Sequence, residues 1–121
     1  DRTTLHSLLE TEQRRVVRTG NHFTIMIVHN KEGLKPSQQF KEAFYLLQRS
    51  LRQSDVICQY TPNVIIAFLP DTNADSSKVL MRRLEKTLEK SLGTPPFSFE
   101  ILNSENLTDL QEKWGYALAE Y

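Results

Sequence analysis

The feature that most constrains the fold is a pair of apolar stretches separated by only three residues. Residues 56–60 and 64–69 are rich in β-branched and aromatic side chains, which favour strands. Thr61, Pro62 and Asn63 stand between them, and a three-residue connection with Pro and Asn is typical of a tight turn. The pattern predicts a β-hairpin, so the fold must contain a sheet with antiparallel neighbours.

Further strands and helices are predicted on both sides of the hairpin. The apolar run over residues 23–29 predicts a strand buried on both faces, and residues 97–102 alternate in polarity as a strand with one covered face does. A helix capped by Ser37 precedes the hairpin, and a helix ending near Leu92 follows it. Their apolar stripes recur at helical spacing: Phe40, Ala43, Phe44, Leu47 and Leu51 in the first, and Leu80, Leu84 and Leu88 in the second.

Two more helices, over residues 4–18 and 106–120, complete the order α-β-α-β-β-α-β-α. The central part of this order is βαββαβ. That arrangement makes an antiparallel sheet with two helices on one face, which is the ferredoxin-like pattern. The sequence therefore predicts an α+β fold with a ferredoxin-like core, built as a single domain over residues 1–121 of the chain.

Charge and cysteine content exclude several classes of function. Lys plus Arg and Asp plus Glu each number 15, so the net charge is zero, which argues against a nucleic-acid-binding protein. Cys58 is the single cysteine, which excludes an internal disulfide and fits a reducing, cytoplasmic compartment. Because the chain begins at Asp1, we expect a piece of a longer protein, with the helix in residues 1–20 as a connector to an upstream domain.

Motifs for metal or cofactor chemistry are missing from the sequence. His6, His22 and His29 fall on three different predicted elements, and none has a helical i, i+4 partner for zinc. No glycine-rich phosphate loop is present. We therefore expect no metal and no cofactor.

The stretch over residues 51–72 carries a family resemblance. It places Arg52-Gln-Ser-Asp55 at a helix end, then a strand, the three-residue turn, and a strand that ends in Leu69-Pro-Asp-Thr72. In this spacing the chain resembles the GGDEF (diguanylate cyclase) family, and the similarity extends to residues 23–30 and 76–89 and, more loosely, to 97–121. The resemblance implies the same βαββαβ fold and a place in bacterial signalling.

The family's catalytic turn is altered here. The positions of its Gly-Gly-Asp/Glu-Glu-Phe motif are held by Thr61, Pro62, Asn63, Val64 and Ile65. Two glycines that allow close approach to the nucleotide are replaced, and neither acidic residue remains to hold a divalent cation. The place of the family's second metal-binding Asp is held by Val28 or His29, and the guanine-reading segment before the next helix is shorter. The resemblance thus implies a degenerate domain without cyclase activity.

A second family site is retained. Arg52 and Asp55 form the Arg-x-x-Asp signature five residues before the turn, and Arg83 occupies the position from which many members recruit another arginine. The resemblance implies that these three residues bind cyclic di-GMP. Arginine can grip a phosphate or stack on a base, and a carboxylate can accept hydrogen bonds from guanine.

Each of these residues also has a structural explanation. Arg52 lies where a helix dipole favours a cation, Asp55 lies in a turn, and Arg83 with its neighbour Arg82 can belong to a solvated helix face. A second hypothesis is therefore a nucleotide-independent interaction domain that pairs with a copy of itself or with neighbouring domains. A third is a residual GTP-sensing site in the former catalytic cleft.

Overall fold

A computed structural model describes residues 2–31, 38–93, 97–105 and 112, with side chains from residue 7 onward. Three helices and four strands form in the described part, in the order α1 (Arg2–Thr19), β1 (Thr24–Asn30), α2 (Gln38–Ser50), β2 (Val56–Thr61), β3 (Val64–Leu69), α3 (Ala74–Leu92) and β4 (Phe97–Asn103). The predicted cap Ser37 and, except for residue 112, the helix predicted over 106–120 lie outside the described residues. No helix in the described part has the length and apolarity needed to cross a bilayer.

The four strands form one sheet in the order β2-β3-β1-β4. All neighbouring strands are antiparallel, and Met26 in β1 lies between Ala67 of β3 and Ile101 of β4. In this topology β1 and β3 are the two central strands, and each βαβ connection passes over one intervening strand. The predicted α+β, ferredoxin-like βαββαβ core is confirmed.

Helices cover both faces of the sheet, which gives the molecule two hydrophobic cores. The core on one face includes the buried apolar side chains of α2 and α3, which are Phe40, Ala43, Leu47, Leu84 and Leu88. The other core is covered by Leu9 and Val16 of α1. Side chains of β3 alternate between the two cores along the strand, which explains why all six of its residues are buried and apolar.

The hairpin differs slightly from the sequence prediction. β2 extends through Thr61, which pairs with Val64, so the turn proper is Pro62-Asn63. The register shifts between Gln59 and Thr61, which places one extra residue in β2. Such a bulge adds local twist to an edge strand, and residue spacing alone does not reveal it.

The ends of α1 and α3 are closed by residues that suit those positions. Gly20 directly follows α1, has φ +77°, and its N–H donates to the Val16 carbonyl at 2.8 Å. Asn73 caps the start of α3 because its side-chain oxygen accepts from the Ser76 N–H at 2.8 Å. Gly20 therefore marks the end of α1, and Asn73 marks the start of α3.

Candidate functional site

Arg52, Asp55 and Arg83, the three residues predicted to bind a ligand, line one cavity of about 270 Å³. We call this cavity the hollow. It lies where the end of α2, the loop between β3 and α3, and the first half of α3 meet. Its walls are Ser50, Arg52, Asp55, Asp71, Thr72, Ser76, Leu80 and Arg83.

Arg52 and Asp55 close the short connection between α2 and β2 by bonding to each other. The Asp55 carboxylate accepts the Arg52 backbone N–H at 2.8 Å and the guanidinium at 3.0 Å from Nη2 and 3.3 Å from Nε. In return, the Asp55 N–H donates to the Arg52 carbonyl at 3.0 Å. The hydrogen bond with Asp55 is the main reason that the pKa of Arg52 is raised, so the guanidinium remains a cation.

A loop formed by Pro70, Asp71 and Thr72 also bonds the Arg52 guanidinium, through the nitrogen that contacts Asp55. Nη2 donates to the Pro70 carbonyl and to the Thr72 hydroxyl oxygen, both at 2.9 Å. Thr72 is buried, and its own hydroxyl donates to the Pro70 carbonyl at 3.0 Å. Sequence reasoning did not single out Thr72 as a site residue, although the Leu-Pro-x-Thr pattern that ends β3 carried the signal.

Arg83 reaches the hollow from α3. Its Nη2 donates to the Ser50 carbonyl at 3.4 Å, across 33 positions of sequence. That carbonyl belongs to the last turn of α2, where a cation is favoured by the helix dipole. Arg82 is exposed and does not line the hollow, so the two neighbouring arginines differ in position.

Solvent access differs sharply between the two members of the Arg52–Asp55 pair. The Arg52 side chain is 56% exposed, whereas that of Asp55 is 1% exposed. The contacts with Asp55 and the loop use Nε and Nη2. The cation therefore faces the solvent, whereas the carboxylate is shielded from it.

A second cavity of about 410 Å³ adjoins the hollow, and we call it the groove. Arg52 and Asp55 line both cavities. The rest of the groove combines apolar side chains with two amides: Gln48, Leu51, Gln53, Val56 and Ile57. A lining of this kind suits a flat ring with polar edges, because the apolar side chains can cover its faces and the amides can bond its edges.

The residues of the turn between β2 and β3 bond to each other and to the end of β1. The Asn63 N–H donates to the Thr61 hydroxyl oxygen at 3.2 Å, and the Asn30 N–H donates to the Asn63 carbonyl at 2.9 Å. Val64 and Ile65 are fully buried, one in each core. The turn is therefore hydrogen-bonded to the end of β1, and the residues that follow it are packed into both cores.

Two further positions singled out in the sequence lie on β1 beside this turn. Of the two candidate positions for the family's second metal-binding Asp, Val28 is fully buried opposite Ile65, and His29 is paired in register with Val64. In the part of the chain that the structure describes, no cluster of three or more His, Cys, Asp or Glu is placed to hold a cation. A six-residue strand spans about 20 Å, so β2 separates the turn from the hollow.

Comparisons with known proteins bear on the fold. No protein-family model matches the sequence, and no curated protein matches it significantly. Among solved structures, the chain is similar to a DGC protein from Thermotoga maritima, with a TM-score of 0.73 and 15% identity over 91% of each chain.

Two structures of PelD from Pseudomonas aeruginosa are also similar. One, from strain PAO1, has a TM-score of 0.64 and 18% identity over 78% of this chain. The other, the apo form from strain PA14, has a TM-score of 0.51 and 17% identity over 69% of this chain. The matched part is about a third of each PelD chain, 35% and 32%. Together with the sheet topology, these likenesses show that the chain has the α+β fold of GGDEF-type cyclase domains.

Proposed function

We propose that this chain is a catalytically inactive GGDEF-like signalling domain that binds cyclic di-GMP through Arg52, Asp55 and Arg83. The observation that carries the proposal is the convergence of these residues on one hollow, with two guanidinium groups on its walls. The fold shared with a DGC protein supports the ligand class, because cyclic di-GMP is the product of the diguanylate cyclase family that the sequence resembles.

The size and shape of the two cavities fit parts of this ligand. Cyclic di-GMP carries two phosphates and two guanines, and pockets that enclose a drug-sized molecule usually measure roughly 300–1,000 Å³. The hollow alone, at about 270 Å³, holds a phosphate with part of a nucleoside. Because Arg52 borders both cavities, a ligand with a phosphate over Arg52 and Arg83 can extend a guanine into the groove.

Asp55 takes two successive roles in this proposal. Without ligand it holds the Arg52 guanidinium in the hollow, through the bonds described above. When a guanine stacks on Arg52 and displaces it, the carboxylate accepts from the guanine N1–H and N2–H₂ groups. The buried Asp55 carboxylate therefore accepts hydrogen bonds from Arg52 without ligand and from the guanine with ligand, so it is not left unpaired in either state.

Inactivity as a cyclase follows from the residues of the turn. Metal-assisted phosphoryl transfer needs carboxylates that hold the cation against the substrate phosphates. Asn63 and Val64 stand where the family has acidic residues, and Val64 is buried. We expect no cyclic di-GMP from GTP with Mg²⁺ or Mn²⁺, and product formation above the blank would overturn this part of the proposal.

The proposed setting is cytoplasmic, within a longer signalling protein. Helix α1 would connect the domain to a neighbour, and a homodimer would be a second partner. With a net charge of zero, nucleic acid is not a proposed partner.

The geometry of Asp55 favours one alternative function. Its carboxylate is 1% exposed and bonded within the protein, as a purely structural turn residue would be. A nucleotide-independent interaction or dimerisation domain would use the Arg52–Asp55 pair only to close the connection between α2 and β2.

Isothermal titration of cyclic di-GMP separates the two functions. The wild type should bind at micromolar or tighter Kd, and Arg83→Ala should weaken binding at least about tenfold, as loss of a charge-assisted contact does. Arg82→Ala is the matched control, because it removes a neighbouring arginine that does not line the hollow. Equal affinity for all three proteins would refute the residue assignment, and no binding by the wild type would favour the interaction domain.

A further inference from the structure

An ion pair links α1 to the loop that borders the hollow. Nη2 of Arg15 donates to both carboxylate oxygens of Asp71, at 3.1 and 3.2 Å. Among the described residues, this is the salt bridge that joins α1 to another element. Asp71 precedes Thr72, whose hydroxyl oxygen accepts from Arg52.

The loop is held firmly enough to keep Asp71 in position. The Thr72 N–H donates to the His22 carbonyl at 3.0 Å, and the Thr72 carbonyl accepts from the Thr24 hydroxyl at 3.0 Å. Asp71 itself has φ +52°, a left-handed conformation that Asp and Asn adopt more readily than other residues with a side chain. Its carboxylate therefore stays between the hollow and α1.

The charge that faces the hollow depends on the position of Arg15 in α1. Two arginines and two aspartates line the hollow, so its own lining is neutral: Arg52, Arg83, Asp55 and Asp71. Arg52 pairs with Asp55, whereas Arg15 pairs with Asp71 and, at 3.3 Å, with Glu12 of its own helix. Glu12 does not line the hollow, so with α1 in place Arg15 offsets the lining carboxylate that Arg52 does not bond, and an anion is repelled less.

We propose that Arg15 makes anion binding in the hollow dependent on the docking of α1. The identity of the anion as cyclic di-GMP rests on the function proposed above, whereas the charge argument holds for any phosphate group. Arg15 acts as a positioning residue, because it works through Asp71. Since linkage is reciprocal, a phosphate in the hollow stabilises the docked α1 by the same factor by which docked α1 strengthens phosphate binding.

Two ligands and three variants test this. Cyclic di-GMP and inorganic pyrophosphate are titrated separately into the wild type, Arg15→Ala and Arg14→Ala, with affinity read from backbone amide shifts in NMR spectra. Arg14 is the matched control, since its salt bridge among the described residues is with Glu10 of its own helix at 3.9 Å and its side chain is 80% exposed. We expect Arg15→Ala to weaken both ligands about two- to fivefold, the range of a single partly exposed ion pair, and Arg14→Ala to change neither.

Asp71→Asn distinguishes the charge effect from a general loosening of α1. Asparagine tolerates a left-handed backbone, so this variant removes the charge and keeps the loop. In the Asp71→Asn background, Arg15→Ala should no longer alter affinity. Pyrophosphate should also slow amide hydrogen exchange over residues 12–19 in the wild type and leave it unchanged in Asp71→Asn.

The outcomes separate the two proposals. If pyrophosphate binds with the expected dependence on Arg15 and cyclic di-GMP does not bind, the proposed ligand is wrong and the coupling stands. If both bind and Arg15→Ala matches the wild type, the coupling is wrong and the receptor function stands. An equal loss of affinity from Arg15→Ala with and without the Asp71 charge, or no anion binding at all, overturns the coupling.

Discussion

Replacing Arg52 with alanine is the substitution whose effect on stability follows most directly from the structure. The change removes a guanidinium that makes two hydrogen bonds to Asp55 and two to the loop, with Pro70 and Thr72. It leaves the Asp55 carboxylate, which is 1% exposed, with the backbone N–H of residue 52 as its donor. A carboxylate that loses its cation in this way destabilises the folded state.

The magnitude depends on how much water reaches Asp55 after the truncation. Removing one partner of a fully buried ion pair costs about 3–5 kcal/mol. The Arg52 side chain is 56% exposed, so its removal opens the hollow and hydrates the carboxylate in part. We therefore expect Arg52→Ala to lower the free energy of unfolding by about 2 kcal/mol, which for a domain of this size is about 8 °C in Tm.

Urea unfolding followed by circular dichroism measures this difference, with the exposed neighbour Gln53→Ala as a control expected within about 0.5 kcal/mol of the wild type. Adding Asp55→Ala to Arg52→Ala should restore part of the loss, because the unpaired carboxylate is then gone. The reasoning fails if Arg52→Ala is as stable as the wild type, or if the losses from Arg52→Ala and Asp55→Ala simply add.

Three other predictions concern the core, a helix end and the thiol. Leu84 is 1% exposed, and Leu84→Ala should lower the free energy of unfolding in urea by about 3 kcal/mol. Val79 on the same helix is 67% exposed, and Val79→Ala should lower it by under about 0.5 kcal/mol. Equal losses would contradict the packing of α3. Gly93→Ala should cost about 1 kcal/mol because φ is +80°, although the added methyl meets no atom within 4 Å; an unchanged Tm would refute this. Burial raises the pKa of the Cys58 thiol, so the fold binds that proton more tightly than the unfolded chain does. The stability that the protonated thiol contributes should therefore be fully present below the pKa of Cys58 in the unfolded chain. It should be lost as pH rises through the pKa of Cys58 in the folded state. Thermal unfolding of Cys58→Ala over the same pH range should lack this loss.

The fold was largely predictable because its strongest signals are local. The run over residues 64–69 and the stripe through Leu84 and Leu88 carry the periodicities of a buried strand and a packed helix. The limit of β2 was placed one residue short, because the bulge near its end depends on pairing with β3. The sequence pattern does not reveal which residues of β2 pair with which residues of β3.

The sequence named the residues that line the hollow better than it indicated the hydrogen bonds they make. The resemblance pointed to Arg52, Asp55 and Arg83, and the structure places all three at one hollow. The engagement of Asp55 by Arg52 was not foreseen, since the same spacing fits both a ligand site and a turn. The bond between Arg15 and Asp71 joins residues 56 positions apart, and it depends on how α1 packs on the sheet.

The most direct test of the central claim is an NMR titration of cyclic di-GMP into the isotopically labelled chain. Our account predicts saturable backbone amide shifts at the hollow, over residues 50–55, 71–72 and 80–83, that are lost in Arg83→Ala and kept in Arg82→Ala. Shifts confined to residues 61–65 would instead place binding at the turn between β2 and β3. A spectrum that does not change with ligand would contradict the account and leave the hollow as the structural closure between α2 and β2.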